Sequence, residues 1–185
     1  MTTAIALLRA VNVGGTGKIA MAELKAFCEG FGLRNPRTLL QTGNLVFETA
    51  DPPDGALEAR LESAAREHLG LDTDFFVRSA ADWSARLAAN PFPQEAADDP
   101  GHLVLIALKG EAKPDDIAAL RTAIKGRERI AAVADMLYVV YPDGIGPSKL
   151  TLPLIEKKLG LKGTGRNWNT ATKLGALAVG AASSP

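Results

Sequence analysis

The sequence predicts an α+β fold made of two ferredoxin-like (βαββαβ) plait subdomains and a C-terminal helix. Two patterns predict it: short apolar runs end at turn residues, as strands do, and apolar residues at helical spacing lie between them. The same order of elements starts again after residue 101, and 185 residues with 46% apolar content can supply two cores. Only the order of elements recurs, so an internal duplication is a hypothesis about architecture.

The first subdomain is predicted over residues 1–79. Residues 4–8 form a continuous apolar run that a glycine-rich loop follows at once, which favours a strand over a helix. Apolar residues at helical spacing follow, and Gly32 is placed to end that helix. The remaining predicted elements are a hairpin of strands at 37–41 and 45–48 around Thr42-Gly43-Asn44, a helix at 57–69 and a strand at 73–78.

The second half repeats this order. A short helix near Trp83 and an acidic linker are predicted for residues 80–101, a second plait for 102–167, and a helix with a tail for 168–185. The predicted elements are strands at 103–108, 128–133, 137–141 and 164–167, a helix begun by Pro114, one capped by Ser148 or Thr151, and a last one capped by Asn169 or Thr170.

Composition narrows the classes of protein. The formal net charge is +0, which argues against wholesale binding to nucleic acid or anionic membranes. Both ends of the chain are positive and the middle is negative, a pattern that also fits an ordinary solvated surface. No signal-peptide pattern or membrane-spanning apolar run is present, and Cys28 is the single cysteine. We therefore expect a cytoplasmic protein with no membrane partner, whose oligomeric state is not predicted.

Several chemistries lack their motifs. Residues 14–18 resemble part of a phosphate-binding loop, but Asn12 stands where that pattern needs glycine, and Ile19 where it needs Ser or Thr. The Gly-x-Gly-x-x-Gly fingerprint of dinucleotide binding is absent too. His68 and His102 have no second ligand at zinc spacing, and no serine nucleophile motif is present. The sequence predicts no metal and no cofactor, and it identifies no catalytic residue.

The plait topology predicts a polar site where the first strand ends. The first two strands of a βαββαβ unit run parallel, so the end of strand one and the hairpin after strand two lie at one edge. Two interpretations stay open: these polar residues contact a ligand, or Asn12, Gln41 and Asn44 only satisfy backbone groups of the turns. The candidate ligand-binding residues here are Arg9, Asn12, Gly14, Gly15, Lys18, Gln41 and Asn44.

A second polar cluster precedes the last helix. Guanidinium and indole groups offer flat faces for a base, and a helix start offers N–H donors to a phosphate. The alternative is that Trp168 anchors the core and the asparagines cap the helix. The candidate residues are Arg166, Asn167, Trp168, Asn169 and Lys173.

Several segments together carry a family resemblance. They are residues 7–15 (LLRAVNVGG), 18–24 (KIAMAEL), 41–47 (QTGNLVF), 148–150 (SKL), 166–170 (RNWNT) and 173–174 (KL). With these segments the chain resembles the bacterial family catalogued as domain of unknown function 1697, over nearly its whole length. One departure is Thr16-Gly17, where a bulkier polar pair is expected. The resemblance implies a two-part α/β plait-like fold, and it implies no established activity or catalytic residues.

Three classes of function follow from these observations. The first is binding of an anionic ligand, which is a nucleotide, a phosphorylated metabolite or a nucleic-acid segment, at the polar Arg/Asn/Lys site. The second is an enzyme acting on a small metabolite in the cleft between the subdomains, for which the sequence shows no obvious general base. The third is a protein-interaction module that pairs through the edge strands of the plaits.

Overall fold

The computed structural model describes residues 1–13 and 17–182, without the side chain of Ala182. The chain divides into two compact units. Unit 1 comprises Met1–Ala85 and the chain from Lys173, and unit 2 comprises Arg86–Thr172.

Unit 1 contains a four-stranded sheet in the order β2-β3-β1-β4, with every neighbouring pair antiparallel. This is the ferredoxin-like order that the sequence predicts. The elements are β1 (Thr2–Leu8), α1 (Met21–Phe31), β2 (Arg34–Thr38), β3 (Asn44–Thr49), α2 (Gly55–Leu69), β4 (Phe75–Ser79) and α3 (Ala80–Ala88).

Unit 2 repeats this arrangement with a second antiparallel sheet in the order β6-β7-β5-β8. The α+β class with two plait-like subdomains and a C-terminal helix is therefore confirmed. The elements are α4 (Pro93–Asp98), a 3-10 turn (Pro100–His102), β5 (Leu103–Leu108), α5 (Pro114–Ala123), β6 (Arg129–Val133), β7 (Met136–Val140), α6 (Leu152–Leu159) and β8 (Gly163–Asn167). The last helix, α7 (Trp168–Ala182), begins in unit 2, and its residues from Lys173 onward belong to unit 1.

Each unit has a core of its own beneath its helices. In unit 1 the buried stripe of α1, formed by Leu24, Phe27 and Cys28, joins apolar side chains of β1, β3 and β4. In unit 2 the stripes of α5 and α6 pack in the same way on β5 and β7. The helix ends follow local chemistry, since Gly32 ends α1 with a φ of 98° and Asp54 caps α2.

The outer edge of β4 is closed by carboxylates of α2. The Phe75 N–H donates to Glu62 Oε1 at 2.9 Å, and the Val77 N–H donates to Glu58 Oε1 at 2.7 Å. In unit 2 the Gly163 N–H of β8 likewise donates to Glu156 of α6 at 2.9 Å. These bonds satisfy edge N–H groups that would otherwise be open to pairing with another strand.

Several predicted boundaries differ from the structure. The strand predicted at 37–41 lies at Arg34–Thr38, because the backbone turns at Leu40 with a φ of 60°. The linker segment contains the short helix α4. The last helix begins at Trp168, and its cap is Asn167, whose Oδ1 accepts from the Thr170 N–H at 3.0 Å, instead of Asn169 or Thr170.

No helix within the described residues is both long enough and apolar enough to cross a lipid bilayer.

Candidate functional site

Two loops of unit 1 meet at the edge of the sheet where β1 ends. Strand pairing places Leu7 opposite Asn44, and the Leu8 N–H donates to the Gly43 carbonyl at 2.8 Å. The described residues of the connection from β1 to α1, 9–13 and 17–20, therefore lie beside the hairpin loop 39–43, as the predicted topology requires.

Asn12 ties these two loops together. Its Nδ2 donates to the carbonyls of Ile19 at 2.9 Å and Gln41 at 2.8 Å, and its Oδ1 accepts from the Ile19 N–H at 2.9 Å. Asn12 holds a left-handed φ of 55°, which asparagine tolerates better than most residues. Its amide is thus committed to the backbone, which makes Asn12 a positioning residue for whatever the loops present.

The hairpin loop is packed tightly against the end of β1. Gly43 has a φ of 73°, and a Cβ there would lie 2.8 Å from Leu8 Cβ, so only glycine fits. Asn44 is fully buried, and its Nδ2 donates to the Leu39 carbonyl at 2.9 Å and to Thr42 Oγ1 at 3.0 Å. The backbone-satisfying interpretation therefore describes Asn44 well.

A pocket of about 330 Å³ opens between these loops and the start of α1. Lys18 is its cation and Glu23 its carboxylate. The helix begins after Ala20, which has no side-chain acceptor to cap the first N–H groups, so the amide end of α1 opens at the pocket. The lining residues are Asn12, Lys18, Ile19, Ala20, Glu23 and Gln41.

The structure brings some of the predicted site residues together and places others elsewhere. Asn12, Lys18 and Gln41 line one pocket. Arg9 is not among its lining residues, and its Nη1 lies 3.6 Å from Asp74 Oδ2. Gly14 and Gly15 lie outside the described residues.

The second predicted cluster is built into the junction of β8 and α7. Arg166 Nη1 donates to Thr164 Oγ1 at 2.9 Å and to the Gly165 carbonyl at 2.8 Å. Burial lowers the pKa of its guanidinium to about 10, which leaves it charged at neutral pH.

The other members of this cluster have helical roles. Asn167 caps α7, and the carbonyls of Trp168 and Asn169 both accept from the Thr172 hydroxyl at 3.0 Å. Trp168 is half-buried. Lys173 is exposed and belongs to unit 1, whereas the other four residues belong to unit 2.

Sequence reasoning missed Glu23, Ile19 and Ala20 as pocket residues. An acidic residue in the first turn of a helix is explained by the helix dipole alone, so Glu23 gave no signal of a second role. The signal that was present is the helix start itself, with Lys18 before it and no capping side chain at Ala20.

Two other chemistries find no support in the described part of the chain. It contains no group of three His, Cys, Asp or Glu residues that could hold a metal ion. Cys28 is fully buried, and burial, with a smaller contribution from Glu29, raises the pKa of its thiol to about 12. The thiol is therefore protonated at neutral pH and a poor nucleophile.

The fold and the loop site define an α+β protein of two ferredoxin-like plaits with one elaborated loop edge. A family model described as "Protein of unknown function (DUF1697)" matches residues 1–138, so the chain belongs to that family.

Comparison with solved structures and curated proteins adds to this. The chain is similar to conserved bacterial protein SP0830 from Streptococcus pneumoniae, with a TM-score of 0.73 and 22% identity over 96% of this chain and 98% of the other. At that identity the likeness shows the fold alone. Among proteins with curated descriptions, none matches this chain.

Proposed function

We propose that this protein binds a small anionic metabolite, a nucleotide or another phosphorylated compound, in the unit 1 pocket. Lys18 supplies the positive charge, and the amide end of α1 supplies N–H donors to the phosphate oxygens. Asn12 holds the two loops at the spacing that leaves the pocket open.

The observation that carries the proposal is a difference in loop length between the units. Unit 1 uses twelve residues, 9–20, to connect β1 with α1, whereas unit 2 connects β5 with α5 through the five residues 109–113. The hairpin loops are residues 39–43 in unit 1 and the two residues 134–135 in unit 2. The fold needs only the short connections, so the additional residues around the pocket serve another purpose.

Backbone strain at the same edge supports a function there. Among the described residues, five non-glycine residues have positive φ, and Ala10, Asn12 and Leu40 belong to these two loops. Such conformations cost on the order of 1–3 kcal/mol each, and they cluster where a binding site needs them.

Glu23 narrows the class of ligand. A lone carboxylate beside a phosphate would weaken binding, unless the ligand also donates hydrogen bonds. A sugar phosphate or a nucleotide does so through its hydroxyl groups. We therefore favour phosphorylated compounds with several hydroxyls over inorganic phosphate.

A second candidate function also rests on Glu23. A carboxylate that shares a pocket with Lys18 gives an enzyme the general base that the sequence did not reveal. The distinguishing observation is turnover, because a binding protein returns the ligand unchanged. Glu23→Gln would then abolish turnover while a binding protein would keep at least part of its affinity.

Calorimetric titration with nucleotides and sugar phosphates tests the binding proposal, with Lys18→Ala as the variant. We expect about tenfold or more weaker binding, since a hydrogen bond to a charged group contributes about 1.5–3 kcal/mol. Lys25→Ala is the matched control, because Lys25 is an exposed lysine on α1 that does not line the pocket. It should bind as the wild type does.

Equal affinity of the Lys18 and Lys25 variants would contradict the proposed site. Binding of oligonucleotides alone, fading steeply with salt, would instead indicate a nucleic-acid segment held by the basic ends of the chain.

A further inference from the structure

The sheets of the two units have four edge strands, and three of them carry features that hinder pairing with another chain. The edge strand β2 contains Pro36, which has no N–H, and its pairing with β3 shifts register between Arg34 and Arg37. The other edge of that sheet, β4, and the edge strand β8 donate N–H groups to carboxylates of α2 and α6. The fourth edge strand is β6 of unit 2.

Strand β6 has none of these features. Its sequence is Arg-Ile-Ala-Ala-Val, without proline or glycine, and a charge stands only at its first residue, Arg129. It pairs with β7 over five consecutive positions without a shift of register. Ile130 is buried beneath the helices, and the three residues after it are apolar and half-buried. A regular apolar edge of this kind is a template for another strand.

The hairpin that follows β6 determines which of its groups point outward. A two-residue hairpin closes with a hydrogen-bonded pair, here Val133 and Met136, so alternate residues of β6 bond to β7. Ile130 and Ala132 therefore direct their N–H and C=O groups away from the sheet. In agreement, the Ile130 carbonyl accepts from Arg121 Nη2 of α5 at 3.2 Å. No group in the described part of the chain accepts from the N–H groups of Ile130 and Ala132.

We propose that β6 pairs antiparallel with β6 of a second copy of this chain, about a twofold axis at Ala131. Ile130 then lies opposite Ala132 of the second copy, and the two equivalent pairs form four main-chain hydrogen bonds. The Ile130 carbonyl has two lone pairs, so the bond from Arg121 does not prevent this. The two unit 2 sheets become one sheet of eight strands. This interface is independent of the unit 1 pocket.

Charge complementarity favours a second copy over an unrelated strand. In the proposed register, which pairs the outward groups of both strands, Arg127 lies opposite Asp135 of the second copy. Arg129 lies diagonal to the same aspartate, and the twofold axis repeats both approaches at the other end of the strands. Ala131 meets its own equivalent at the axis, where a small side chain leaves room for the backbones to approach. Exposed charges of this kind set register more than affinity.

Sedimentation equilibrium of the full-length protein tests the association. Two five-residue strands form an interface smaller than a stable dimer needs, so we expect a dissociation constant on the order of 0.1 mM. The average mass should rise from monomer towards dimer between about 0.02 and 1 mM protein. Ala131→Lys places two like charges at the axis and should remain monomeric at about 1 mM. Ala119→Lys, at an exposed alanine of α5, is the control and should associate as the wild type does.

Disulfide formation tests the register. Residues 131 of the two copies form a non-hydrogen-bonded pair with Cα atoms about 4.5 Å apart, which a disulfide spans, so Ala131→Cys should cross-link on oxidation. Val133→Cys should not, because its equivalents lie four residues apart along the strands, roughly 13 Å. Val133→Cys mixed with Arg129→Cys should cross-link, since these positions face each other. The native Cys28 is fully buried and does not compete.

A wild type that stays monomeric at about 1 mM would overturn the proposal. Equal rates of cross-linking for Ala131→Cys and Val133→Cys would also overturn it, because random collision would then explain both. If Ala131→Lys associates as the wild type does while circular dichroism shows it folded, the interface lies elsewhere. If Ala131→Lys does not fold, the two cysteine variants decide.

Discussion

The two units share one strand order and differ at the edge where the first strand ends. In unit 1, residues 9–20 connect β1 with α1 and residues 39–43 connect β2 with β3. The same connections in unit 2, β5 to α5 and β6 to β7, use only residues 109–113 and 134–135. The short connections of unit 2 show what the plait fold requires. The long versions carry Asn12, Gly43 and the pocket, so the additional residues are the part of unit 1 that the fold does not explain.

The edge strands show a second difference on a common plan. Arg78 of β4 lies opposite Ile5, and Arg166 of β8 lies opposite Leu105, and each donates Nη1 to the carbonyl of the residue before it. Arg78 also donates to the buried Glu58 at 3.0 Å. Glu58 lies four residues before Glu62 in α2. Glu156 of α6 corresponds to Glu62, and the residue four positions before Glu156 is Leu152. The arginine therefore belongs to the common plan, and the buried carboxylate beside it is a feature of unit 1.

The largest expected effect comes from Glu58→Ala. It removes the acceptor of the Val77 N–H and one partner of a buried ion pair, which costs about 3–5 kcal/mol. Glu156→Ala in unit 2 removes an acceptor with less burial and should cost about 1–2 kcal/mol. Urea unfolding followed by circular dichroism measures both, and hydrogen exchange of β4 and β8 peptides assigns each loss to a unit.

The exposed Glu67→Ala on α2 is the control for Glu58→Ala and should stay within about 0.5 kcal/mol of the wild type. Equal losses for Glu58→Ala and Glu156→Ala would remove the energetic distinction between the two edges.

Asn12→Ala should cost about 2–4 kcal/mol, because three side-chain hydrogen bonds are lost and alanine is strained at a φ of 55°. Asn35→Ala is a matched control, with a φ of 50° and one exposed bond to Glu48, and should cost about 1 kcal/mol. Thermal unfolding compares the two. Similar midpoints would show that Asn12 does not hold the loops.

Alkaline pH should affect unit 2 through its two tyrosines. Burial raises the pKa of Tyr138 and of Tyr141 to about 12, against about 10 in an unfolded chain. Between pH 10 and 12 the unfolded chain releases these protons and the folded chain keeps them, so stability falls as pH rises through this window.

The check is the slope of unfolding free energy against pH, from urea titrations of the wild type and Tyr141→Phe. The variant should lose part of the slope above pH 10. An unchanged slope would assign the alkaline sensitivity to Tyr138 or Cys28, since the pKa of each is also about 12.

The smallest expected effect is a gain in stability. Ala134 holds a φ of 51° in the two-residue hairpin of unit 2, where glycine is unstrained. Ala134→Gly should stabilise the protein by about 0.5–1 kcal/mol, the strain relieved less the added freedom of the unfolded chain. Gly43→Ala in unit 1 should act in the opposite direction, because its Cβ would meet Leu8. A loss of stability in Ala134→Gly would contradict the argument from strain.

The sequence predicted the fold well, because its signals are local. Apolar spacing located α1 and α2, Gly32 and Gly70 marked their ends, and Thr151 was one of two caps named for α6. Predicted strand boundaries were wrong where a non-glycine residue turns the backbone, as Leu40 does after β2. A leucine gives no sequence signal of a positive φ.

The candidate site was predicted only in part. Topology placed residue 12 beside residue 41, but no sequence rule says that the amide of Asn12 would be consumed by three backbone groups. The place of Glu23 in the pocket depends on which atoms face a cavity, and that is a property of packing.

The path of the chain through the two units has a consequence for synthesis on the ribosome. Residues 1–85 emerge before unit 2, whereas the residues from Lys173 onward, which also belong to unit 1, emerge after it. All eight strands of the described residues have been made by residue 167, when unit 1 still lacks its part of α7. The nascent unit 1 therefore waits, incomplete, while the whole of unit 2 is translated, and a chain released early at residue 172 would leave it so.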